Sequence, residues 1–478
     1  MHRSAGTAYS GLAASLFDFQ NLSSLYLAAT FLLYAVIATA LLAANMPPFQ
    51  NPDEPLHYLR ATQIAQGELV GYRFAASGPK GMQVNAGGMA DPAVLRAAAP
   101  FNGVIGHPER RVTSAQWDAA SVPWSHERML LAFPNTALYP PFFYVPSAFG
   151  VAIGRALNLT VVQSLTLSRV LTGVAAAAVG GVAIACAGAA SIWIFAILTL
   201  PMSLSLMAST SQDGLMLAFS ALAGALMFRV LNRPQAPTVS ELAGLVGSLV
   251  LVATARLPYA GLAILLFELR SLRWRWRLIA FLTVVACAGL WSTLMATTTW
   301  INFGAFESVD ANPAEQWAQI RQNPFVILQV AVTTTTHNFL FYFDSFIGKL
   351  GWLDTKLPAA YHAAAWAILC IAATAAMVYP SNRFYAAKGC YIAFGLLISA
   401  GGIFAIQYLT WTRPGSAIVE GVQGRYFLPL ALAGAGLLPA LGNRWWLRIH
   451  WAFTAIVMLF PMVTVWVVMR QIMLRYYQ

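Results

Sequence analysis

Apolar runs of about 20 residues, the length that crosses the hydrocarbon core of a bilayer, recur along almost the whole chain. A bilayer offers the backbone no hydrogen-bond partner, so such runs must become helices or be buried among other segments. They lie at 25–45, 138–155, 163–187, 190–208, 211–231, 240–268, 276–300, 325–346, 359–379, 389–411, 425–441 and 449–470. Composition agrees: 59% of the 478 residues are hydrophobic and 9% charged, against roughly 25% charged in a soluble protein. The chain is therefore read as an all-α, polytopic integral membrane protein of about 12 transmembrane helices, and a soluble enzyme is excluded. The run at 240–268 is interrupted by Arg256, Leu257 and Pro258 and reads as two shorter helices.

The net charge is +11, but the bases lie beside apolar runs, so nucleic acid is not implied. Arg270, Arg273, Arg275 and Arg277 alternate with Trp274 and Trp276, and Arg229 with Arg233, Arg383 with Lys388, and Arg444 with Arg448 flank other runs. The positive-inside rule puts these loops, and the tail after Arg470, in the cytoplasm. If Arg155 and Arg233 are both cytoplasmic, an even number of crossings must lie between them, whereas three runs do, and one run is read as split or re-entrant. Cys186, Cys287, Cys370 and Cys390 show no disulfide or zinc spacing. Residues 1–24 are too polar for a signal peptide and read as a cytoplasmic segment, followed by a first transmembrane helix at 25–45.

Residues 46–138 are the exception: they hold seven acids, seven bases and three of the seven histidines. A loop this long is usually functional, and it reads as an outer-face domain with membrane-lying helices; 139–478 is the multi-helix transmembrane domain. The loop opens with Asn51, Pro52, Asp53, Glu54, Pro55, Leu56 and His57. The prolines and the uninterrupted run to Gly67 predict a helix beginning near Asp53, with His57 one turn on. An acid there could simply cap the helix, yet two adjacent carboxylates between prolines, just outside a membrane helix, suggest more.

Six motifs in order, NPDEPLH at 51–57, YPPFFY at 139–144, PMSLSLMASTSQD at 201–213, RLPY at 256–259, KLGWLD at 349–354 and GVQGRYFLP at 421–429, resemble a family of bacterial membrane proteins of unknown function. That family looks like a branch of the GT-C glycosyltransferases, integral membrane enzymes that take a sugar from a polyprenyl-phosphate carrier and use an acid in the first outer loop. The resemblance implies a GT-C-like fold with a large first outer loop. It further implies an inverting glycosyltransferase of the bacterial inner membrane, with its active site on the outer face. Donor and acceptor would be a polyprenyl-phosphate-linked sugar and a glycan or lipid-linked glycan.

In such a reaction a carboxylate accepts the acceptor's proton, and positive charge steadies the departing phosphate. Asp53 is then the base with Glu54 in reserve, and His57 a substrate contact. Arg425 and Arg256 are candidates for gripping phosphate, with Tyr426 beside the first; Asp213, Lys349, Trp352 and Tyr139 are candidate substrate contacts. Each also has a structural reading: a snorkelling Arg425, a cytoplasmic-side anchor at Arg256, a helix cap at Asp213, and interfacial rings at Trp352 and Tyr139. No DxD pair or nucleotide-binding motif occurs, so a cofactor is not implied and a divalent metal is not indicated, though the site would admit one. Two other classes compete: a transporter or flippase of lipid-linked saccharide, which should show matched halves, and a catalytically silent scaffold.

Overall fold

The computed structural model describes residues 4–78, 81–233, 235–301, 311–377, 389–438 and 447–478. Arg383, Lys388 and Arg444 lie outside these. The chain enters with α1 (Ser4–Asn45), apolar enough to cross a bilayer from Ser23 onward. Residues 46–138 then form a cap of mixed structure. It contains α2 (Glu54–Ala65), strands β1 (Tyr72–Gly78) and β2 (Gly81–Ala90), α3 (Ala93–Ala98), α4 (Ser114–Ala120), β3 (Met129–Ala132) and α5 (Pro134–Ala137). The all-α reading is thus corrected here: β1, β2 and β3 pair in that order as an antiparallel sheet. Gly87 on β2 makes the β2–β3 pairing feasible, since a Cβ there would sit 1.9 Å from the Leu131 carbonyl oxygen.

After the cap comes α6 (Val145–Ala156), a helix of 12 residues, roughly 18 Å long and too short to cross. Both of its ends stay with the cap. Arg155 pairs with Asp91 at 2.7 Å and lies over the Trp124 ring, and Pro123 bridges to Thr160 just before the next helix. The run at 138–155 therefore holds no helix long enough to cross, and a buried carboxylate holds Arg155 at the cap.

The crossing begins with α7 (Val161–Cys186), started by a Thr160/Gln163 capping box. It packs antiparallel on α1 where Gly173 meets Thr39, Gly180 meets Phe31 and Gly181 meets Leu32, the close small-residue approach common between membrane helices. Next, α8 (Ser191–Leu198) and α9 (Pro201–Met207) form an apolar pair bent by 79°, and α10 (Asp213–Leu231) crosses away from the cap. The bent pair is the split or re-entrant run between Arg155 and Arg233.

Arg229 and Arg233 at the far end of α10 both pair with Glu241, in the capping box of α11 (Val239–Ala255). The chain returns to Arg256, and a 3₁₀ helix, Leu257–Glu268, runs back, so the 240–268 run is broken where Pro258 predicts. Then α12 (Trp274–Thr298) crosses to the cap, where the Thr299 hydroxyl donates to the Gly71 carbonyl at 2.6 Å.

The cap side also carries α13 (Pro313–Gln322), α14 (Val326–His337) and α15 (Phe339–Ile347), so the run at 325–346 is two short helices meeting at Asn338. A hairpin of β4 (Lys349–Leu350) and β5 (Thr355–Lys356) leads to the spans α16 (Ala359–Met377) and α17 (Cys390–Thr410). The described part of the run at 425–441 holds a 3₁₀ turn, α18 (Leu428–Ala433) and a second 3₁₀ turn.

The last span, α19 (Leu447–Tyr476), ends at the cap. Arg475 pairs with Asp354 at 2.6 Å and donates to the carbonyls of Val104 and Arg110. The tail after Arg470, expected in the cytoplasm, is thus drawn to the cap by a buried ion pair and two carbonyls.

The described residues therefore contain seven helices long and apolar enough to cross a membrane, or eight if the bent pair counts, where about 12 were expected. The other apolar runs exist but are short or broken. Hydropathy measures apolar length and is blind to helical continuity.

Two expectations follow. A cysteine introduced in the cap near residue 90 and one placed after Arg475 should react with a membrane-impermeant reagent from the same side, and one near Arg275 from the other; labelling of the tail together with Arg275 would overturn this arrangement. Asp91 concerns acid stability. Burial raises its carboxyl, but hydrogen bonds from Ser125 and the Ala93 amide and the Arg155 charge outweigh this and hold it below the usual carboxylate range. Its stabilisation is thus present above the unfolded value of about 3.9 and fades as pH falls through the lower folded value. The gap in thermal midpoint between wild type and Asp91→Asn should narrow toward pH 3; a constant gap would refute this assignment.

Candidate functional site

Beneath the cap lies a cavity of about 470 Å³, walled largely by the broken segments: the α9–α10 turn, the break at Arg256, the β4–β5 hairpin and the stretch entering α18. Irregular backbone at membrane depth survives only where it is buried in protein or faces a cavity. Eight of the residues nominated from sequence share this wall: Asp53, His57, Tyr139, Asp213, Arg256, Lys349, Arg425 and Tyr426. Glu54 and Trp352 do not.

Asp53 precedes α2 in the left-handed conformation, with φ 54°, and its side chain makes no capping hydrogen bond. Its carbonyl instead receives the Leu56 and His57 amides, both at 3.0 Å. Left-handed backbone costs a non-glycine residue about 1 kcal/mol or more. The carboxylate, facing the cavity, accepts no hydrogen bond from the described residues, so the capping explanation does not apply.

Glu54, the expected reserve base, turns the opposite way. It is 1% exposed, accepts from Arg169 Nε at 2.8 Å and again from its Nη2, and takes a further bond from the Asn51 amide at 3.0 Å. Such a saturated carboxylate is a structural anchor and not a base. Arg169 was missed, although a lone arginine inside the apolar run of α7 signals a buried acid somewhere. Trp352, expected as a sugar platform, donates its indole N–H to the Phe49 carbonyl at 3.3 Å and ties the β4–β5 hairpin to the start of the cap. The tryptophans that do line the cavity are Trp291, within α12, and Trp300 and Trp411, just past the ends of α12 and α17, where sequence offers only an interfacial explanation.

His57 Nδ1 shares a 2.7 Å hydrogen bond with the Tyr144 hydroxyl, and its ring stacks on Tyr139 at 6.1 Å. Burial pushes its pKa down while Asp53 and Asp213 pull it up, leaving it below the usual value. Asp213 opens α10 and accepts from Arg256 Nη2 at 2.9 and 3.1 Å. Arg256 thus lines the cavity, where its charge is paired. Its guanidinium lies 4.6 Å from the centre of the Tyr426 ring, and that of Arg425 lies 5.6 Å from the same centre.

Arg425 differs from Arg256 in one respect. It is 9% exposed, its Nε is buried without a partner, and among the described residues its guanidinium has no hydrogen bond and no ion pair. Lys349 also enters no ion pair there; its ammonium lies 4.9 Å from the Phe341 ring centre, and burial together with Lys356 pushes its pKa down. Asp213 and Arg256 neutralise one another, and among the described residues of the wall Asp53, Arg425 and Lys349 enter no ion pair. No group of three or more His, Cys, Asp or Glu side chains that could hold a metal occurs among the described residues.

Arg169→Met leaves Glu54 buried without its partner, an error that typically costs about 3–5 kcal/mol. The thermal midpoint should fall sharply, and by less in Glu54→Gln/Arg169→Met. Equal falls in the two would show that the buried charge is not the cause.

The sequence profile of a family described as predicted membrane proteins, DUF2142, matches residues 36–433, and the chain belongs to that family. No curated protein matches the chain. No solved structure matches it.

Proposed function

We propose that this DUF2142 protein is an inverting glycosyltransferase of GT-C type in a bacterial inner membrane. It moves a sugar from a polyprenyl-phosphate carrier to a glycan or lipid-linked glycan. The observation that carries this reading is a buried Arg425 that has no hydrogen bond or ion pair among the described residues, in the same cavity as an Asp53 carboxylate equally without one. Buried charges without partners are costly, so a wall that keeps both signs free is built for a ligand bringing its own proton donor and its own anion. The end of the bundle away from the cap carries Arg229, Arg233, Arg270, Arg273, Arg275 and Arg277. By the basic-loop bias that end is cytoplasmic, and the cap and cavity face outward.

The chemistry balances with these groups. An acceptor hydroxyl attacks the anomeric carbon, its proton passes to Asp53, and the bond from that carbon to the phosphate oxygen breaks with its electron pair on the phosphate. A phosphodiester of one negative charge becomes a monoester approaching two, while Asp53 goes from carboxylate to neutral acid. The total stays constant against Arg425 and Lys349, so no uncompensated charge develops in a low-dielectric site. A sugar diphosphate would bring one negative charge more than this set offsets. His57, one turn from Asp53, and the cavity tryptophans serve as sugar contacts.

The broken elements around the cavity also suit a carrier of lipid-linked saccharide, because discontinuous helices form transporter sites. Release of polyprenyl phosphate separates the two, since a carrier returns its cargo intact.

The decisive variant is Asp53→Asn, because asparagine tolerates the left-handed backbone where alanine would add strain. With purified protein and a panel of polyprenyl-phosphate sugars, transfer should fall by roughly 10² to 10⁴ while the thermal midpoint holds. Transfer near the wild-type rate would remove Asp53 from the chemistry.

A further inference from the structure

The YPPFFY segment at 139–144 supplies Tyr139 to the cavity wall, whereas Tyr144 is 0% exposed. Pro141–Tyr144 forms a 3₁₀ turn that packs against α2. Both tyrosines close there on His57. Its ring stacks on Tyr139, with 6.1 Å between centres and 9° between planes, and on Tyr144 at 5.9 Å and 27°. Arg60, one turn further along α2, donates to the Tyr139 carbonyl at 3.0 Å and ties the segment to the same helix. Stacking on two rings fixes the plane of the imidazole, so its chemistry turns on which nitrogen carries the proton.

Hydrogen-bond accounting selects the nitrogen. The buried Tyr144 hydroxyl has one partner among the described residues, His57 Nδ1 at 2.7 Å. A phenol carries one proton and, when buried, needs an acceptor for it. If Nδ1 were protonated, in the other tautomer or in the cation, it would donate to the hydroxyl and leave the phenolic proton without an acceptor. A buried donor stranded in this way loses its hydration and gains nothing in return. If Nδ1 accepts, both groups are satisfied and the ring proton sits on Nε2. Burial acts in the same direction by disfavouring the charged ring. No described residue bonds to Nε2, and the ring lines the cavity.

We infer that the YPPFFY turn is an orienting clamp: Tyr144 is a positioning residue whose hydroxyl donates to His57 Nδ1, so that His57 offers Nε2–H to the cavity as a fixed donor to a ligand hydroxyl. His57 is then no rival to Asp53 as a base, because its cavity nitrogen already holds a proton. The hydroxyl follows from the neighbour. Asp53 and His57 lie one helical turn apart and are adjacent on the surface of α2, one an acceptor and the other a donor. A hydroxyl donates and accepts at once and satisfies both, whereas a phosphate has no proton for Asp53 and meets its negative charge. The inference rests on the transferase reading only for the hydroxyl's belonging to a sugar.

The test is nitrogen NMR of the full-length protein in nanodiscs with ¹⁵N-labelled histidine, the His57 signals being those lost in His57→Gln. Without any ligand, His57 should show a protonated Nε2 and a hydrogen-bonded, unprotonated Nδ1. Tyr144→Phe keeps the ring stack and removes the hydroxyl, so the second tautomer should appear. A merely structural role for Tyr144 would not move this signature. A proton on Nδ1 in the wild type, or a tautomer unchanged in Tyr144→Phe, would overturn the clamp.

Ligand and transfer supply the remaining arms. The Nε2 signal should move on adding a polyprenyl-phosphate sugar and hold still with undecaprenyl phosphate alone; equal movement with both would make the contact a phosphate and overturn the hydroxyl. In transfer assays His57→Gln, whose amide N–H reaches the place of Nε2, should retain roughly tenfold more activity than His57→Asn, whose shorter amide stops near Nδ1. Equal loss in the two would count against a donor at Nε2. The two readings fail separately. The expected tautomer with no transfer from any donor keeps the clamp and ends the transferase proposal, while transfer by a protein whose His57 carries its proton on Nδ1 does the reverse.

Discussion

Arg169 meets Glu54 inside the protein with both side chains 1% exposed, and the cavity depends on that contact. The same guanidinium donates to the carbonyls of Ala43, Met46 and Pro47 at 3.2, 2.7 and 3.0 Å, which lie where α1 ends and its backbone acceptors lose their helical partners. One side chain from α7 therefore terminates α1, turns the chain and seats the first residue of α2, whose carboxylate also lies at the favourable end of that helix. The direction of α2 follows from this joint. With Glu54 pulled inward, Asp53 takes the left-handed conformation and faces the cavity, and His57 follows it one turn later.

Two further ion pairs complete the mounting of the cap. Asp91 with Arg155 fastens it to α6, and Asp354 with Arg475 brings the C-terminal turn and the β4–β5 hairpin to its edge. Trp352 joins that hairpin to Phe49, four residues before Asp53. Lys349 and Asp53, nearly 300 residues apart in sequence, therefore enter one wall through contacts that are themselves structural. These ion pairs hold the architecture, whereas Asp53, Arg425 and Lys349 line the cavity with no ion pair among the described residues.

The broken helices have the same logic. Pro201, Pro258 and Pro429 each stand in a segment that hydropathy counts as a span. Facing lipid, the backbone groups freed by such breaks would be severely costly. Grouped around one cavity, they gain protein partners or a polar interior, and the kinks turn Asp213, Arg256 and Arg425 toward a common space. The arrangement that shortens these helices is the one that makes the site.

Sequence by itself determined the membrane class, the apolar runs, the unusual loop at 46–138 and eight of the residues that line the cavity. It could do so because transfer free energy is read from local composition, and because polar residues within apolar runs are costly enough to mark themselves. Tertiary structure decided which of two adjacent carboxylates is free, which arginine is already neutralised, that Trp352 is a strut, that the cap contains a sheet, and that the tail returns to the cap. Asp53 and Glu54 are chemically near-identical neighbours, and only the position of Arg169, more than a hundred residues away, separates them. A charge acquires its role from its partner, and partners distant in sequence are brought together only by the fold.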